Sequence, residues 1–197
     1  VRPDYDPGAR AGILLRRSPS AVGHRTSMSR AEREPEAFFR RIETIWALDP
    51  GARAIESADA AFSWGELHSA VSAIDAALSE AGVERAAAVG VRNRPGMLAA
   101  LLALLLSGRC IVSLSPFQPD EELQRELRDL DLDALIGESQ DWNAGTMQAA
   151  LQAGIAGLCL PDGALGPVRH VCCPRPSAGR RRQDLAGIAL ETLTSGT

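Results

Sequence analysis

Apolar residues return at three- and four-residue steps from Glu36 to Leu48, setting Phe38, Phe39, Ile42, Ile45 and Trp46 on one side of an amphipathic helix. Asp49-Pro50-Gly51 breaks that pattern. Arg53–Ser57 and Ala61–Ser63 then read as two short strands about a turn at Ala58-Asp59-Ala60. Ser63, with Glu66 three residues on, writes a capping box, so a helix follows that buries Leu67, Val71, Ile74 and Leu78 and ends at Gly82.

Strands and helices then alternate. Strands are expected over Ala86–Val91, Cys110–Leu114, Ala134–Gly137 and Gly157–Leu160, with helices over Pro95–Ser107, Asp120–Leu130 and Asp141–Gln152. Ser115–Pro119 reads as a rigid loop, and Pro161–Asp184, rich in Pro, Gly and Arg, as a long surface loop. A last short strand is expected over Gly187–Leu193, apolar around the single acid Glu191. Apolar strands alternating with helices predict an α/β fold with a largely parallel sheet and flanking helices. The uncharged run Pro95–Gly108 is shorter than the about 20 residues a membrane span needs, so it predicts a fully buried helix and no transmembrane segment.

Residues 1–33 differ in kind. Arg10, Arg16, Arg17 and Arg25 stand among Ser, Gly and Pro with few acids, and the stretch reads as a tail that is disordered or lies ahead of a true start at Met28. A transit peptide shares that composition and is the minor alternative. Residues 34–197 form the candidate domain.

A net charge of -4, a pI near 5.4 and 4% aromatic residues argue against a nucleic-acid partner. All 21 basic residues are arginine, so no chemistry that needs a lysine ammonium is completed by these residues alone. Cys110, Cys159 and the adjacent Cys172-Cys173 lack zinc or redox spacing and read as reduced thiols of a cytoplasmic protein.

The last residues carry the candidate chemistry. Thr194-Ser195-Gly196-Thr197 follow the final strand directly, and a hydroxyl- and glycine-rich turn after a buried strand offers N–H and O–H donors to an anion. Glycine lets the main chain approach a phosphate closely. A Ser/Thr turn that merely closes a strand is the plainer alternative.

Three segments carry a family resemblance. Phe62-Ser63-Trp64-Gly65-Glu66-Leu67 is similar to an early (Thr/Ser)-Tyr-x-Glu-Leu segment, with Trp64 at the usual tyrosine. The run from Leu106 through Gly108 to Val112-Ser113-Leu114-Ser115-Pro116 is similar to Lys-Ala-Gly-x-x-x-Val-Pro-Leu-x-Pro, with Ser107 for the common alanine and Ser113 for the common proline. Leu193-Thr194-Ser195-Gly196-Thr197 resembles the opening of Thr-Ser-Gly-Thr-Thr-Gly-x-Pro-Lys-Gly. In this order and spacing, from about Ala47 to Thr197, they resemble the start of an adenylate-forming enzyme, the superfamily of acyl-CoA synthetases, peptide-synthetase adenylation domains and luciferases.

The resemblance implies the N-terminal part of such an enzyme's large domain, truncated within the phosphate loop. It implies ATP and Mg2+ as cofactors of the intact parent, a carboxylic acid substrate, and CoA or a phosphopantetheine arm as thiol acceptor. Thr194, Ser195, Gly196 and Thr197 become phosphate-side residues, and no catalytic or metal residue is assigned. The chain alone is then expected to be inactive, to hold none of these cofactors stably, and to aggregate through an exposed sheet edge and apolar face. The alternatives are an α/β binding or interaction module that kept the fold without the chemistry, and an unrelated nucleotide-binding α/β protein.

Other constellations point nowhere. Gly90–Gly96 follows a strand and opens a helix but lacks dinucleotide spacing, and Arg92 and Arg94 stand where a cofactor would pass. His24, His68 and His170 share no metal or triad spacing, and Asp129, Asp131 and Asp133 lack the glycine and glutamate of a calcium loop.

Overall fold

The computed structural model describes residues 11–14, 30–57, 60–115, 117–172 and 188–192. Most of these form one seven-stranded sheet with helices on both faces. The elements are β1 (Ala11–Leu14), α1 (Arg30–Leu48), β2 (Arg53–Glu56), β3 (Ala61–Ser63), α2 (Trp64–Glu80), β4 (Ala86–Gly90), α3 (Pro95–Ser107), β5 (Cys110–Leu114), α4 (Asp120–Asp129), β6 (Ala134–Glu138), a 3-10 turn over Ser139–Asp141, α5 (Ala144–Ala153), β7 (Ala156–Leu160), β8 (Arg169–Cys172) and β9 (Ile188–Thr192).

The sheet order is β1-β9-β5-β4-β6-β7-β8, and β2 with β3 makes a separate hairpin. The five central strands, β9, β5, β4, β6 and β7, run parallel, so the expected α/β fold with a largely parallel sheet is present. Each flank is closed by an antiparallel strand, β1 against β9 and β8 against β7. Two departures from the pattern lie in these flanks. The stretch 161–184, expected to be loop throughout, contains β8, whose outward Arg169 and His170 hide the alternation that marks a strand. The tail 1–33 contributes β1 and the first residues of α1, while its residues 1–10 and 15–29 lie outside the described set.

The expected capping box forms. Ser63 Oγ accepts from the Glu66 N–H at 3.2 Å, and Glu66 Oε2 accepts from the Ser63 N–H at 2.7 Å. These bonds, the backbone one foremost, hold the Glu66 carboxyl below the usual carboxylate range. α3 begins with Pro95 at its first turn and ends at Gly108, whose φ of 76° is the left-handed cap that glycine supplies at low cost.

Two cores sandwich the sheet. On one face α1, α2 and α3 bury Trp46, Leu67, Ile74, Met97 and Leu104 against Val89, Ile111 and Ile136. On the other α4 and α5 bury Leu127, Leu130 and Ala149 against Val112, Leu114 and Leu135. Each fully buried aliphatic side chain stabilises the fold by about 1.5–3 kcal/mol. Between α2 and β5, the nearly buried Arg109 donates to the Val83 carbonyl at 2.8 Å, to Ser79 Oγ at 3.0 Å and to Asp75.

α3 departs from expectation. It is buried only on its inner side, leaving Leu98 41% exposed and Leu101, Leu102, Leu105 and Leu106 part-covered. His68 lies exposed on α2 and stacks on Trp46 at 4.6 Å, clasping α1 to α2.

Candidate functional site

Because the five central strands are parallel, their carboxyl ends share one edge. The chain leaves β4 for α3 on one face and leaves β6 for α5 on the other. The gap between β4 and β6 is therefore the topological switch point, where open α/β sheets bind ligands.

That gap is closed from within. Its crevice holds about 100 Å³ among Gly90, Arg92, Ser115, Gln118, Gln140 and Asp141. At about 30 Å³ per water, this is room for roughly three waters and no nucleotide. Arg92 Nη1 donates to Asp141 Oδ2 at 2.6 Å across it, and the same oxygen accepts from the Glu138 N–H at 2.8 Å. Both charged side chains are nearly buried, at 15% and 14% exposure. The bond to Asp141 raises the Arg92 pKa further and burial opposes it, so the guanidinium stays charged.

A strap over residues 161–166 seals the neighbouring strand ends. Glu138, fully buried at the end of β6, accepts from the Gly163 N–H at 3.1 Å and from Gln140 Nε2 at 3.0 Å, with Arg94 Nε at 3.5 Å. Asp162 accepts from the Ser139 N–H at 2.9 Å and from its hydroxyl at 2.6 Å. Those two bonds, the hydroxyl's first, hold the Asp162 carboxyl below its ordinary range. The strap also lies hard on the start of α3, where a Cβ at Gly96 would stand 3.1 Å from the Ala164 carbonyl oxygen. Arg92 and Arg94, noted from sequence only as obstructing a dinucleotide, are thus structural partners of Asp141 and Glu138.

A second cleft, about 650 Å³ and open to solvent, separates the β2–β3 hairpin from the start of α3. Ile55, Val91, Pro95, Leu98 and Leu101 form its apolar wall.

The other end of the edge is at β5 and β9. β9 pairs with β5 through Ile111↔Leu190, Val112↔Glu191 and Ser113↔Thr192. The strand expected over Gly187–Leu193 is therefore in the sheet, with Glu191 only 4% exposed. Thr194, Ser195, Gly196 and Thr197 lie outside the described residues and begin two positions beyond Thr192. Among the other sequence candidates, Asp131 and Asp133 bind Arg85 at 3.2 and 2.6 Å, and His170 faces Glu80 at 3.7 Å. Cys110, Cys159 and Cys172 are buried.

The family described as AMP-binding enzyme matches residues 42–174, more than half of the chain. The chain belongs to the AMP-binding enzyme family. Among solved structures, this AMP-binding chain is similar to apo MatB from Rhodopseudomonas palustris at 22% identity and a TM-score of 0.55, covering 64% of this chain and 26% of that one. It is also similar to IdnL1, at 19% identity and a TM-score of 0.56 over 74% of this chain and 28% of that one. CmiS6 matches at 21% identity and a TM-score of 0.52, over 70% and 33%. At these identities the likeness is one of fold. The chain spans about a quarter to a third of the length of these structures. No curated protein matches it.

Proposed function

We propose that this chain is the N-terminal part of an ATP-dependent acyl-activating ligase. In that reaction a carboxylate attacks the α-phosphate of ATP, pyrophosphate leaves, and the acyl group passes from the adenylate to the thiol of CoA or of a carrier-protein arm. The observation that carries the reading is the placement of β9. It lies beside β5 with its carboxyl end on the ligand-binding edge, while the switch point itself is occupied by Arg92 and Asp141. A phosphate group entering this edge therefore meets the exit of β9, which leads to Thr194, Ser195, Gly196 and Thr197.

These four residues donate backbone N–H and hydroxyl groups to the triphosphate and to the charge that develops as pyrophosphate departs. Membership of the AMP-binding family supports the reading, as does the likeness in fold to MatB, of which one structure is described as ATP bound. Among the described residues, no group of three or more His, Cys, Asp or Glu side chains is arranged to hold a metal ion.

With no lysine among its 197 residues, the chain by itself turns over nothing. The alternative is a binding module in the same fold without chemistry, and the filled switch point is the observation in its favour. ATP-dependent exchange of labelled pyrophosphate, run with a panel of carboxylic acids, separates the readings. The isolated chain shows none, and a product extended along its reading frame shows acid-dependent exchange. An extension without Thr-Gly-x-Pro-Lys-Gly, or without exchange, refutes the ligase reading. Exchange by the isolated chain refutes its inactivity.

A further inference from the structure

α3 turns most of its large side chains away from its own sheet. Its buried positions include the small residues Ala99, Ala100 and Ala103, with Met97 and Leu104 among them. Leu98, Leu101, Leu102, Leu105 and Leu106 stand at three- and four-residue steps along the other side. None of these five is buried, and Leu98 is 41% exposed. No charged residue occurs from Pro95 to Gly108. A helix whose outer side meets water carries polar residues there. α4, on the opposite face of the same sheet, obeys that rule, with Asp120, Glu121, Arg125, Arg128 and Asp129 exposed.

The leucine stripe runs into the open cleft of about 650 Å³, whose wall Leu98 and Leu101 share with Ile55, Val91 and Pro95. Contiguous apolar surface of this kind marks an interaction site. Two considerations choose the occupant. A standard interface between separate proteins buries about 800 Å² per partner. Five leucines, none more than 41% exposed, fall well short of that. A segment of the same polypeptide needs less contact, because the covalent link replaces most of the cost of association. The chain also spans only 26%, 28% and 33% of MatB, IdnL1 and CmiS6, whose fold it shares. A protein of that length has most of its chain outside these 197 residues.

We propose that the leucine face of α3, with the cleft beside it, seats a later part of the same polypeptide through an uncharged, apolar surface. This rests on the reading of the chain as the N-terminal part of a longer enzyme and assigns the face on which the remainder docks. The stripe is then the middle of a larger core, with the sheet on one side and the later segment on the other.

The test is the rate of maleimide labelling of Leu98→Cys, located by peptide mass mapping, in the 197-residue chain and in a product extended along its reading frame. Leu151→Cys, at a 51% exposed position of α5 on the opposite face, is the control, and Leu101→Cys repeats the measurement one turn along α3. Each variant of the 197-residue chain should melt within about 2 °C of wild type. Position 98 should label at least about 10-fold more slowly in the extended product, while position 151 labels equally in both. Equal labelling of position 98 in the two overturns the proposal. Protection of position 98 in the 197-residue chain that grows with protein concentration also overturns it, in favour of a second copy. An extended product that protects position 98 but lacks acid-dependent pyrophosphate exchange fails the ligase reading alone. One that exchanges but leaves position 98 open fails this proposal alone.

Discussion

Removing Asp141 from its bond with Arg92 should be among the costliest single changes in this chain. Two unit charges about 4 Å apart attract by about 4 kcal/mol at an effective dielectric near 20. Asp141 and Arg92 approach more closely, at 2.6 Å, and both are nearly buried, so solvent screens them little. Asp141 Oδ2 also holds the Glu138 N–H. Asp141→Leu therefore removes the carboxylate that a nearly buried, charged guanidinium and a backbone donor share. Stranding one partner of a buried pair costs about 3–5 kcal/mol, and the residual exposure places the expected loss near the lower end, about 3 kcal/mol. For a domain of this size that lowers Tm by about 6–12 °C. Replacing both partners, as Arg92→Met with Asp141→Leu, removes the stranded charge. The double variant should lose less than the sum of its singles, with a coupling of about 1–3 kcal/mol. Urea denaturation of the four members of the cycle measures this, and Asp141→Asn separates the ion pair from the Glu138 bond by keeping an acceptor oxygen. A loss below about 0.5 kcal/mol for Asp141→Leu, or strict additivity, would refute the argument that this pair closes the switch point.

Two further outcomes follow from close contacts. A Cβ at Gly157 would lie 2.6 Å from Cys172 Sγ, 2.7 Å from the Trp142 ring and 2.8 Å from Val171 Cγ2. Gly157→Ala should thus cost about 1–3 kcal/mol by overpacking and loosen β8 first, read as faster amide exchange at Val171 and Cys172; unchanged exchange there would contradict it. Asp162, with its carboxyl depressed in the folded state, contributes stability that is present above its ordinary pKa near 3.8 and is lost as pH falls through the lower folded value. Ser139→Ala should move the Asp162 carboxyl back toward its ordinary range in an NMR titration, so that the strap loosens at a higher pH than in wild type.

Where local chemistry decides an element, the sequence pattern anticipated it closely. Pro95 and Gly108 bracket α3, and Ser63 with Glu66 starts α2, because proline, a left-handed glycine and a reciprocal cap each act within a few residues. The start of α5 was less legible. Asp141 promised a helix, but it ends a 3-10 turn, and Asn143 caps the helix by accepting from the Thr146 N–H at 2.9 Å. β8 was missed because half of its side chains face outward. The pairing of Arg92 with Asp141 had no signal at all, since 49 residues separate them and only the crossing of the sheet brings them together. Thr194, Ser195, Gly196 and Thr197, singled out for their hydroxyls and glycine, lie outside the described residues, and the sheet shows only the strand, β9, that precedes them.

The position of β9 also bears on how the chain acquires its shape. Among the described residues, the last strand in sequence enters between the first strand, β1, and β5, and it is the sole neighbour that joins β1 to the sheet. Strands β4 to β7 can assemble from contacts close in sequence, whereas both ladders of β9 close very long loops and should form late. On a ribosome, β5 would wait with one open backbone edge while everything between it and β9 is made. During that interval the nascent chain is most exposed to wrong strand pairing. The segment proposed to carry the phosphate-binding residues would then also be the one whose arrival ends that exposure, so substitutions in β9 should show first as lost soluble yield.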